Sequence, residues 1–291
     1  MSQLSHSEFG KLKTVFIKKA SAAFINDAHI QQHWEALNYL GKPDMNKVLI
    51  EYDLFEKILK DNSVEVLHFP ENDSVNMDSI YCRDASIATC NGMIICNMGK
   101  PGRAKEPAAQ ASAYREMGIP VLGTIHAPGT VEGGDVAWLD ANTLAVGHTY
   151  RTNMQGIEQL KALLNPIGVH VITAEMPHYK GPSDVFHLMS VLSPVDKNLA
   201  VVYSPLMPIA FRKLLIERGF ELVEVPEEEF DSMGCNVLAL APRKCLMVKG
   251  NPKTKLRLEA AGCEVIEYEG AEISVKGGGG PTCLTRPISR V

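Results

Sequence analysis

The sequence lacks the features that mark several large classes of protein. No apolar run reaches the roughly 18 residues of a membrane-spanning helix, so we expect no membrane partner. Positive charge is not in excess, because 29 Lys and Arg residues stand against 34 Asp and Glu residues and the formal net charge is −5. Nucleic-acid surfaces need clustered Lys and Arg, so we expect no nucleic-acid partner either.

Cysteine is sparse and poorly placed for cross-links. The seven cysteines are scattered without a CxxC pair, which argues against a disulfide framework and a cysteine zinc site. The residues from Met1 to Ser7 lack the basic and then apolar pattern of a signal peptide, and we expect a cytoplasmic protein. No HExxH, HxxEH or P-loop pattern occurs, so we expect neither a metal nor another cofactor.

The sequence does contain a repeat. Five times, a helix-like segment is followed at once by a short β-like run, with a residue between them that suits the left-handed backbone of a helix end. These residues are Asn62, Gly118, Gly168, Gly219 and Gly262. The helices are predicted at about 52–60, 104–117, 154–164, 208–218 and 252–261, and the following strands at 64–69, 119–124, 169–173, 221–225 and 264–268.

A pair of apolar strands precedes each of the last four helices. The pairs are predicted at 86–89 and 93–96, 135–139 and 143–146, 185–189 and 199–203, and 235–240 and 244–248. The first unit has only 15–17, so residues 272–275 or 283–285 are expected to supply its missing strand. A strand–strand–helix–strand unit with a period of about 40 to 55 residues favours a closed α/β ring in one domain over residues 1–291. The alternative is a plain doubly wound α/β sheet.

Chemically capable side chains fall at the same place in four of the units. Asp84 and Glu132 stand at the entry to first strands, His187 lies within the predicted strand 185–189, and Cys283 precedes the closing strand. Singly, each has a structural explanation: a surface ion pair, a tight turn, a core histidine and an inert buried thiol. Their joint placement favours one site at the centre of a ring.

The combination also makes chemical sense. A cysteine attacks as the thiolate, and a histidine can give a proton to a leaving amine and later take one from water. Two carboxylates in a closed pocket suit a planar cation with several N–H donors, which is a guanidinium. A bound cation in turn favours the thiolate over the thiol.

Four motifs, in this order, resemble a known superfamily. They are YCRD at 81–84, EGGD at 132–135, FHL at 186–188 and GGGGPTCLTRP at 277–287. The chain is similar to the guanidino-group-modifying enzymes of pentein fold, which include dimethylarginine dimethylaminohydrolases, arginine deiminases and amidinotransferases. The resemblance implies a five-bladed ββαβ propeller with a central active site, and a small guanidino substrate.

The resemblance also implies roles. Cys283 attacks the guanidinium carbon and His187 protonates the departing amine, which leaves a thiouronium that water releases as a ureido product such as citrulline. Asp84 and Glu132 hold the guanidinium nitrogens, and Glu132 also orients His187. Further substrate contacts are expected at Asp78, Arg83, Arg103, Arg151, Asp135 and Gly277. Among them, Arg103 and Arg151 fit an amino-acid clamp, although each also suits a solvated charge at the start of a helix.

One position bears on the substrate. Arginine deiminases usually carry an aspartate two residues after the histidine, and here that residue is Met189, which favours a substituted nitrogen as in dimethylarginine. Against this, Arg83 before Asp84 resembles the deiminase pattern. The expected reaction is hydrolysis of dimethylarginine to citrulline and dimethylamine, with an arginine deiminase, a dihydrolase, an amidinotransferase or a non-catalytic binding pentein as alternatives. A homodimer is implied by the resemblance alone.

Overall fold

The computed structural model of the chain describes residues 6–291. This part of the chain contains five three-stranded sheets. In chain order the strands are β1 Leu12–Ile17, β2 Glu65–His68, β3 Ser86–Thr89, β4 Gly92–Ile95, β5 Val121–Thr124, β6 Val136–Asp140, β7 Thr143–His148, β8 His170–Glu175, β9 Leu192–Asp196, β10 Leu199–Val202, β11 Glu221–Glu224, β12 Leu238–Ala241, β13 Lys244–Val248, β14 Glu264–Tyr268 and β15 Arg286–Arg290.

Each sheet repeats one topology. Its middle strand pairs antiparallel with one neighbour and parallel with the other, and a helix connects the parallel pair. We call each sheet with its helix a blade, so that blade 1 holds β15, β1 and β2, and blades 2 to 5 hold the remaining strands in chain order. First strands of neighbouring blades touch, as β15 touches β3 and β9 touches β6 and β12. The predicted five-bladed ββαβ ring is confirmed.

Seven helices lie among the described residues. They are α1 Ala20–Phe24, α2 Asp27–His33, α3 Met45–Asp61, α4 Glu106–Glu116, α5 Met154–Leu164, α6 Ile209–Glu217 and α7 Pro252–Ala260. Helix α3 begins earlier than predicted because the Asp44 side chain accepts hydrogen bonds from two backbone N–H groups of its first turn. None of the helices in residues 6–291 combines the length and apolar character that crossing a bilayer requires.

The predicted helix ends are mostly confirmed. Gly118, Gly168, Gly219 and Gly262 all have φ between 67° and 82°, the left-handed region in which glycine carries no Cβ penalty. The prediction for Asn62 is wrong by one residue, because Asn62 has φ of −90° and Ser63 takes the left-handed conformation instead.

The strand that closes the ring is β15, so both predicted closing segments are wrong. Residues Ala271–Val275 form a π-helical turn, and Cys283 lies in a loop in which Leu284 N donates to the Gly280 carbonyl. Strand β15 pairs antiparallel with β1 at the edge of its sheet, where a proline is tolerated. Its arginines bond neighbouring blades: Arg286 Nη1 lies 2.7 Å from the Ser86 carbonyl oxygen.

The first strand of blade 4 was also misplaced by the prediction. Residues 185–189 are not a strand, because Leu188–Ser190 forms a 3₁₀ turn and β9 begins only at Leu192. The backbone N–H of Leu188 donates to the buried carboxylate of Asp135, and this bond draws the segment out of the sheet. As a consequence, His187 lies on the approach to its strand, like the acidic residues of blades 2 and 3.

Candidate active site

Each blade contributes one polar side chain from the segment just before its first strand. These residues are Asp84 before β3, Glu132 before β6, His187 before β9, Asn236 before β12 and Cys283 before β15. First strands make most of the strand contacts between blades, and these segments lie together at one end of the ring. Four of the five were expected from the sequence, and Asn236 was missed.

A cavity of about 280 Å³ opens at this end of the ring. Among its lining residues are Asp78, Asp84, Arg103, Arg151, His187, Asn236, Gly277 and Cys283. The thiol and the imidazole therefore face the same cavity, although 96 positions separate them in the sequence (283 − 187 = 96). The remaining wall is largely apolar and includes Phe186, Met189 and Phe230.

His187 is held by a buried carboxylate. Its Nε2 lies 2.8 Å from Oε2 of Glu132, and its backbone N–H donates to Oγ of Ser190 at 3.0 Å. Burial alone would lower the pKa of His187, but the charge of Asp135, the bond to Glu132 and the charge of Asp84 together raise it to about 9. At neutral pH the imidazole is therefore protonated and able to act as an acid.

Glu132 lies behind His187 and is not a lining residue of the cavity. Its Oε1 accepts from the backbone N–H of Lys100 at 2.9 Å, and its Oε2 accepts from Arg151 at 3.3 Å in addition to contacting His187. Burial opposes its charge, but the bond to His187 and nearby cations hold the pKa of Glu132 below its usual value. With its oxygens committed in this way, Glu132 suits orientation of the histidine better than a direct grip on substrate.

Asp84 faces the cavity with one oxygen in use. Its Oδ2 accepts a bond from Arg103 at 2.5 Å, and its Oδ1 is buried without a hydrogen-bond partner among residues 6–291. A buried carboxylate oxygen without a donor is costly, since the group has lost its water. A ligand with N–H donors would satisfy it, as a guanidinium does.

The EGGD segment requires both of its glycines. A Cβ on Gly133 would collide with the carbonyl oxygen of Arg83, and a Cβ on Gly134 would lie 2.6 Å from Nδ1 of His187 and 2.7 Å from Oδ1 of Asp84. The turn Gly133–Asp135 therefore allows blade 3 to approach the acid of blade 2 and the base of blade 4. Only a residue without a side chain fits between these two groups.

The four-glycine run packs against two neighbouring side chains. A Cβ on Gly277 or Gly279 would strike the ring of Tyr81, and one on Gly280 would lie 2.5 Å from Oδ1 of Asn236. Gly278 has φ of +74°, which favours glycine. The run thus places the Cys283 loop close to blades 2 and 5, where Arg83 N donates to the Cys283 carbonyl at 3.2 Å.

The Cys283 thiol is the partly exposed member of this group. Burial of the sulfur and the negative charge of Asp84 both raise the pKa of the thiol. In the unliganded site the sulfur is therefore mainly protonated at neutral pH. A cation bound beside Asp84 would offset part of this negative charge, lower the pKa of the thiol and so favour the thiolate.

Two expected substrate contacts, Arg83 and Asp135, are not among the residues that line the cavity. Arg83 is fully buried and its Nη2 lies 2.7 Å from Oε1 of Glu8, in an ion pair inside the ring. Asp135 is also fully buried, where it accepts from Thr149 Oγ1 at 2.7 Å and from Leu188 N at 3.0 Å. Both side chains therefore support the backbone that carries the site.

The two predicted clamp arginines differ in how they are held. Arg103 is buried, donates two bonds to Glu106 at 2.8 and 2.7 Å, and bonds Asp84, so its guanidinium is committed to the protein. Arg151 makes only longer contacts, at 3.3 Å, to Glu132 and to the Asp184 carbonyl oxygen. Of the two, Arg151 is the less tightly bonded to the protein.

Asp78 is neutralised by a lysine that the sequence did not single out. Lys100 Nζ lies 2.6 Å from Oδ2 of Asp78 and 3.1 Å from the Leu37 carbonyl oxygen. Lys100 lies in the segment between the middle strand of blade 2 and helix α4, and it lines the cavity. Nothing in the local sequence distinguishes it from an ordinary surface lysine before a helix.

Three of the groups also come near a metal-binding arrangement. One ligand atom each of Asp84, Glu132 and His187 lies within 4.8 Å of the others. Arg103 bonds one oxygen of Asp84, and Lys100, Arg151 and His187 occupy both oxygens of Glu132, so few ligand atoms remain for a metal ion. The expectation that the site holds no metal stays a prediction.

Curated proteins of similar sequence cover most of the chain. An uncharacterised protein of Bacillus subtilis, YkgA, is 28% identical over 288 residues, which is 98% of this chain and 94% of the relative. The N(G),N(G)-dimethylarginine dimethylaminohydrolase of Streptomyces coelicolor is 29% identical over 246 residues, which is 84% of this chain and 87% of the relative.

Solved structures share the fold. The dimethylarginine dimethylaminohydrolase of Pseudomonas aeruginosa, in a cysteine-to-serine variant complexed with citrulline, superposes with a TM-score of 0.75 at 24% identity over 94% of this chain and 98% of that one. The N-terminal domain of the cyanobacterial arginine dihydrolase ArgZ, in a cysteine-to-serine variant bound to substrate, gives 0.81 at 15% identity over 95% and 98%. At these identities the structures show the pentein fold and no more.

A family model adds the family itself. The model described as N,N dimethylarginine dimethylhydrolase, eukaryotic, matches residues 15–290. This match spans all five blades and every site residue described above. The chain therefore belongs to the N,N-dimethylarginine dimethylhydrolase family of the pentein superfamily.

Proposed function

We propose that this protein hydrolyses a C–N bond of a guanidino compound, with Cys283 as the nucleophile. The observation that carries the proposal is the cavity itself. A thiol, a protonated imidazole and a carboxylate oxygen without a partner, from Cys283, His187 and Asp84, face the same small space from three different blades. This set matches the needs of a planar cationic substrate that is attacked by sulfur.

In the first step, binding of the substrate cation promotes ionisation of the Cys283 thiol. The guanidinium donates N–H bonds to Asp84 and brings positive charge beside Cys283, so the thiol loses its proton to solvent water more readily. The thiolate attacks the guanidinium carbon and forms a C–S bond. His187 gives its proton to the leaving nitrogen, the C–N bond breaks, and a neutral amine departs from a covalent thiouronium.

In the second step water replaces the sulfur. His187, now neutral, takes a proton from water as the oxygen attacks the same carbon. The C–S bond breaks, the pair of electrons returns to sulfur, the new hydroxyl gives its proton to solvent water, and the neutral ureido product leaves the cavity. Glu132 holds the imidazole through both steps and stabilises the imidazolium at the start and the end of the cycle.

For the substrate we propose dimethylarginine, with citrulline and dimethylamine as products. Support comes from the wall of the cavity, where Met189 is buried and apolar at a position that would need a carboxylate to bind an unsubstituted nitrogen. The Arg83 side chain, which resembled the deiminase pattern, lies outside the cavity and carries no weight for that alternative. Arg151 is the proposed contact for the substrate carboxylate.

The experiment is a comparison of guanidino compounds. Purified protein is incubated with dimethylarginine, monomethylarginine, arginine and agmatine, each with and without glycine, and the products are identified by mass spectrometry. The proposal predicts citrulline and dimethylamine from dimethylarginine, and no product from Cys283→Ser. A guanidino group transferred to glycine would indicate an amidinotransferase, and ammonia from arginine a deiminase or dihydrolase. Equal inertness of both proteins would favour a binding role.

The cellular compartment is part of the same proposal. All seven cysteines are free thiols, including the exposed Cys90 and the partly exposed Cys283. Because a reducing compartment preserves an accessible nucleophilic thiol, we propose that the protein acts in the cytoplasm.

A further inference from the structure

The side chains of Asn236 and Cys283 meet across two blades. Nδ2 of Asn236 lies 3.3 Å from Sγ of Cys283, within hydrogen-bonding reach of a sulfur acceptor. Asn236 is 7% exposed and lines the cavity. It lies in the segment before β12, so it occupies in blade 5 the place that Asp84, Glu132 and His187 occupy in theirs.

The orientation of the amide is determined by its other contacts. Its Oδ1 accepts from the backbone N–H of Thr282 at 3.0 Å and from Oγ1 of Thr282 at 2.8 Å. Two donors on the oxygen leave the NH₂ group to face the sulfur. Gly280 contacts the same side chain, since a Cβ there would lie 2.5 Å from Oδ1, and the amide has no room to swing away.

We propose that Asn236 is a fifth catalytic residue, which donates an N–H bond to the Cys283 thiolate and stabilises it. This inference rests on the proposed function, in which Cys283 is the nucleophile. The bond acts at two points of the cycle: before attack, when the thiolate forms, and at breakdown of the intermediate, when the same thiolate leaves. The sulfur of the covalent intermediate carries no negative charge and gains less from the donor.

The need for such a donor follows from the charges around the sulfur. Burial and the nearby carboxylate of Asp84 raise the pKa of the Cys283 thiol, while the bonds from Asn236 and Thr282 act in the opposite direction. Thr282 Oγ1 is 3.9 Å from the sulfur and already donates to Asn236, so Asn236 is the closer of the two. An anionic substitute for the amide would reverse its effect, which makes the idea testable with an isosteric change.

The experiment measures thiol reactivity without any substrate. The rate at which iodoacetamide alkylates Cys283 is followed against pH by peptide mass spectrometry in wild type, Asn236→Ala, Asn236→Asp and Thr282→Val. In Asn236→Asp the carboxylate still accepts both Thr282 bonds and only the N–H facing the sulfur is lost. Thr282→Val is the matched control, because it keeps the amide and its backbone contact.

The pKa of the Cys283 thiol is expected to be lowest in wild type, higher in Asn236→Ala and highest in Asn236→Asp. In Thr282→Val it is expected to stay close to the wild-type value. Loss of one hydrogen bond to a charged group raises the pKa by about one in the alanine variant. The new carboxylate of Asn236→Asp raises the pKa of the thiol by its charge in any case, so the alanine variant decides the question. A role of Asn236 in packing alone predicts a thiol pKa in Asn236→Ala equal to that of wild type, and that result would overturn the inference. Unchanged profiles in both variants would do the same.

A second readout separates this inference from the proposed function. With a guanidino substrate, the Asn236 variants are expected to have a lower kcat/KM than wild type, because both formation of the thiolate and its expulsion are slowed. If the thiol pKa shifts as expected but wild type turns over no guanidine, the contact is correct and the proposed function fails. If wild type is active and Asn236→Asp reacts with iodoacetamide as wild type does, the contact is not catalytic.

Discussion

Nε2 of His187 lies 2.8 Å from Oε2 of Glu132, and the two side chains come from adjacent blades with 4% and 0% of their surfaces exposed. Because the two groups are close together and buried, the carboxylate and the protonated imidazole stabilise each other's charge. The geometry makes His187 a proton donor at neutral pH, as the departure of an amine requires.

The first prediction concerns Glu132. Glu132→Gln removes the negative charge while keeping the size of the side chain, so His187 loses the partner that stabilises its proton. We expect kcat/KM to fall by roughly 10²- to 10⁴-fold, the usual worth of a positioned acid or base. Steady-state kinetics measure the loss, and a histidine NMR titration should show the pKa of His187 below its wild-type value. Activity near wild type would show that Glu132 is dispensable.

The pH dependence is the second prediction. Since Asp135 and Glu132 outweigh burial and raise the pKa of His187 to about 9, the imidazole holds its proton up to that pH and loses it above. The raised pKa of the Cys283 thiol means that thiolate grows throughout the same range. We therefore expect kcat/KM to rise towards about pH 9 and to fall beyond it.

Asp135→Asn is the control for this interpretation. Burial raises the pKa of Asp135 to about 6, so its carboxylate is charged between pH 7 and pH 9, where the effect is sought. Removing that charge should move the alkaline fall to lower pH while Leu188 N keeps an oxygen acceptor. An alkaline limb that stays in place would mean that another group than His187 titrates there.

The third prediction compares two glycines. In Gly134→Ala the new Cβ would lie 2.6 Å from Nδ1 of His187, so the imidazole must shift and activity should fall by about 10²-fold, the effect of a misplacement near 1 Å. Gly168 has φ of +79° and open space around it. Gly168→Ala should therefore lose about 1–2 kcal/mol of stability and keep its activity.

Urea unfolding and steady-state kinetics on the two proteins separate these effects. If Gly134→Ala kept full activity, the close contact between blades 3 and 4 would not matter for the reaction. If Gly168→Ala lost activity instead, the distant turn would have to influence the site through the fold.

The fourth prediction concerns the inside of the ring. Glu8 and Arg83 form an ion pair at 2.7 Å with side chains 6% and 1% exposed, and Glu8→Gln leaves a buried guanidinium without its counter-charge. We expect a loss of about 3–5 kcal/mol in the free energy of unfolding, measured with urea, while KM for a guanidino substrate stays at its wild-type value.

A surface pair provides the control. Lys57 and Asp61 are 2.6 Å apart with side chains 66% and 60% exposed, so Asp61→Asn should cost less than about 1 kcal/mol. Equal losses of unfolding free energy in Glu8→Gln and Asp61→Asn would show that the buried pair contributes no more to stability than the exposed one.

The sequence predicted the architecture well where the hydrophobic periodicity and the residues at the element ends pointed to the same structure. Helix α5 runs from Met154 to Leu164 as expected, because an amphipathic segment stands between an asparagine cap and a glycine turn. The closing strand Arg286–Arg290 escaped prediction because it has a single apolar side chain, Ile288, among two arginines, a proline and a serine. Its arginine side chains bond the carbonyls of other blades.

The site was only partly predictable for related reasons. His187 is flanked by apolar residues that resemble a strand, and the bond from Leu188 to Asp135 that keeps it out of the sheet joins residues far apart in sequence. Asn236 is a neutral amide in an apolar run, so its role depends on a sulfur brought in from another blade. Which of Arg83 and Asp84 faces the cavity depends on the exact start of β3, which alternation alone does not give.

The proposed mechanism requires a covalent bond between the substrate carbon and the sulfur of Cys283. Protein mixed with dimethylarginine is quenched in acid within its first turnovers, and with a haloacetamidine after longer incubation, and the intact mass and peptide masses are then recorded. The proposed mechanism predicts an added amidine-derived mass on the Cys283 peptide in both samples, and none in Cys283→Ser. Turnover of the guanidine by Cys283→Ser at the wild-type rate, or an adduct confined to another cysteine such as the exposed Cys90, would contradict it.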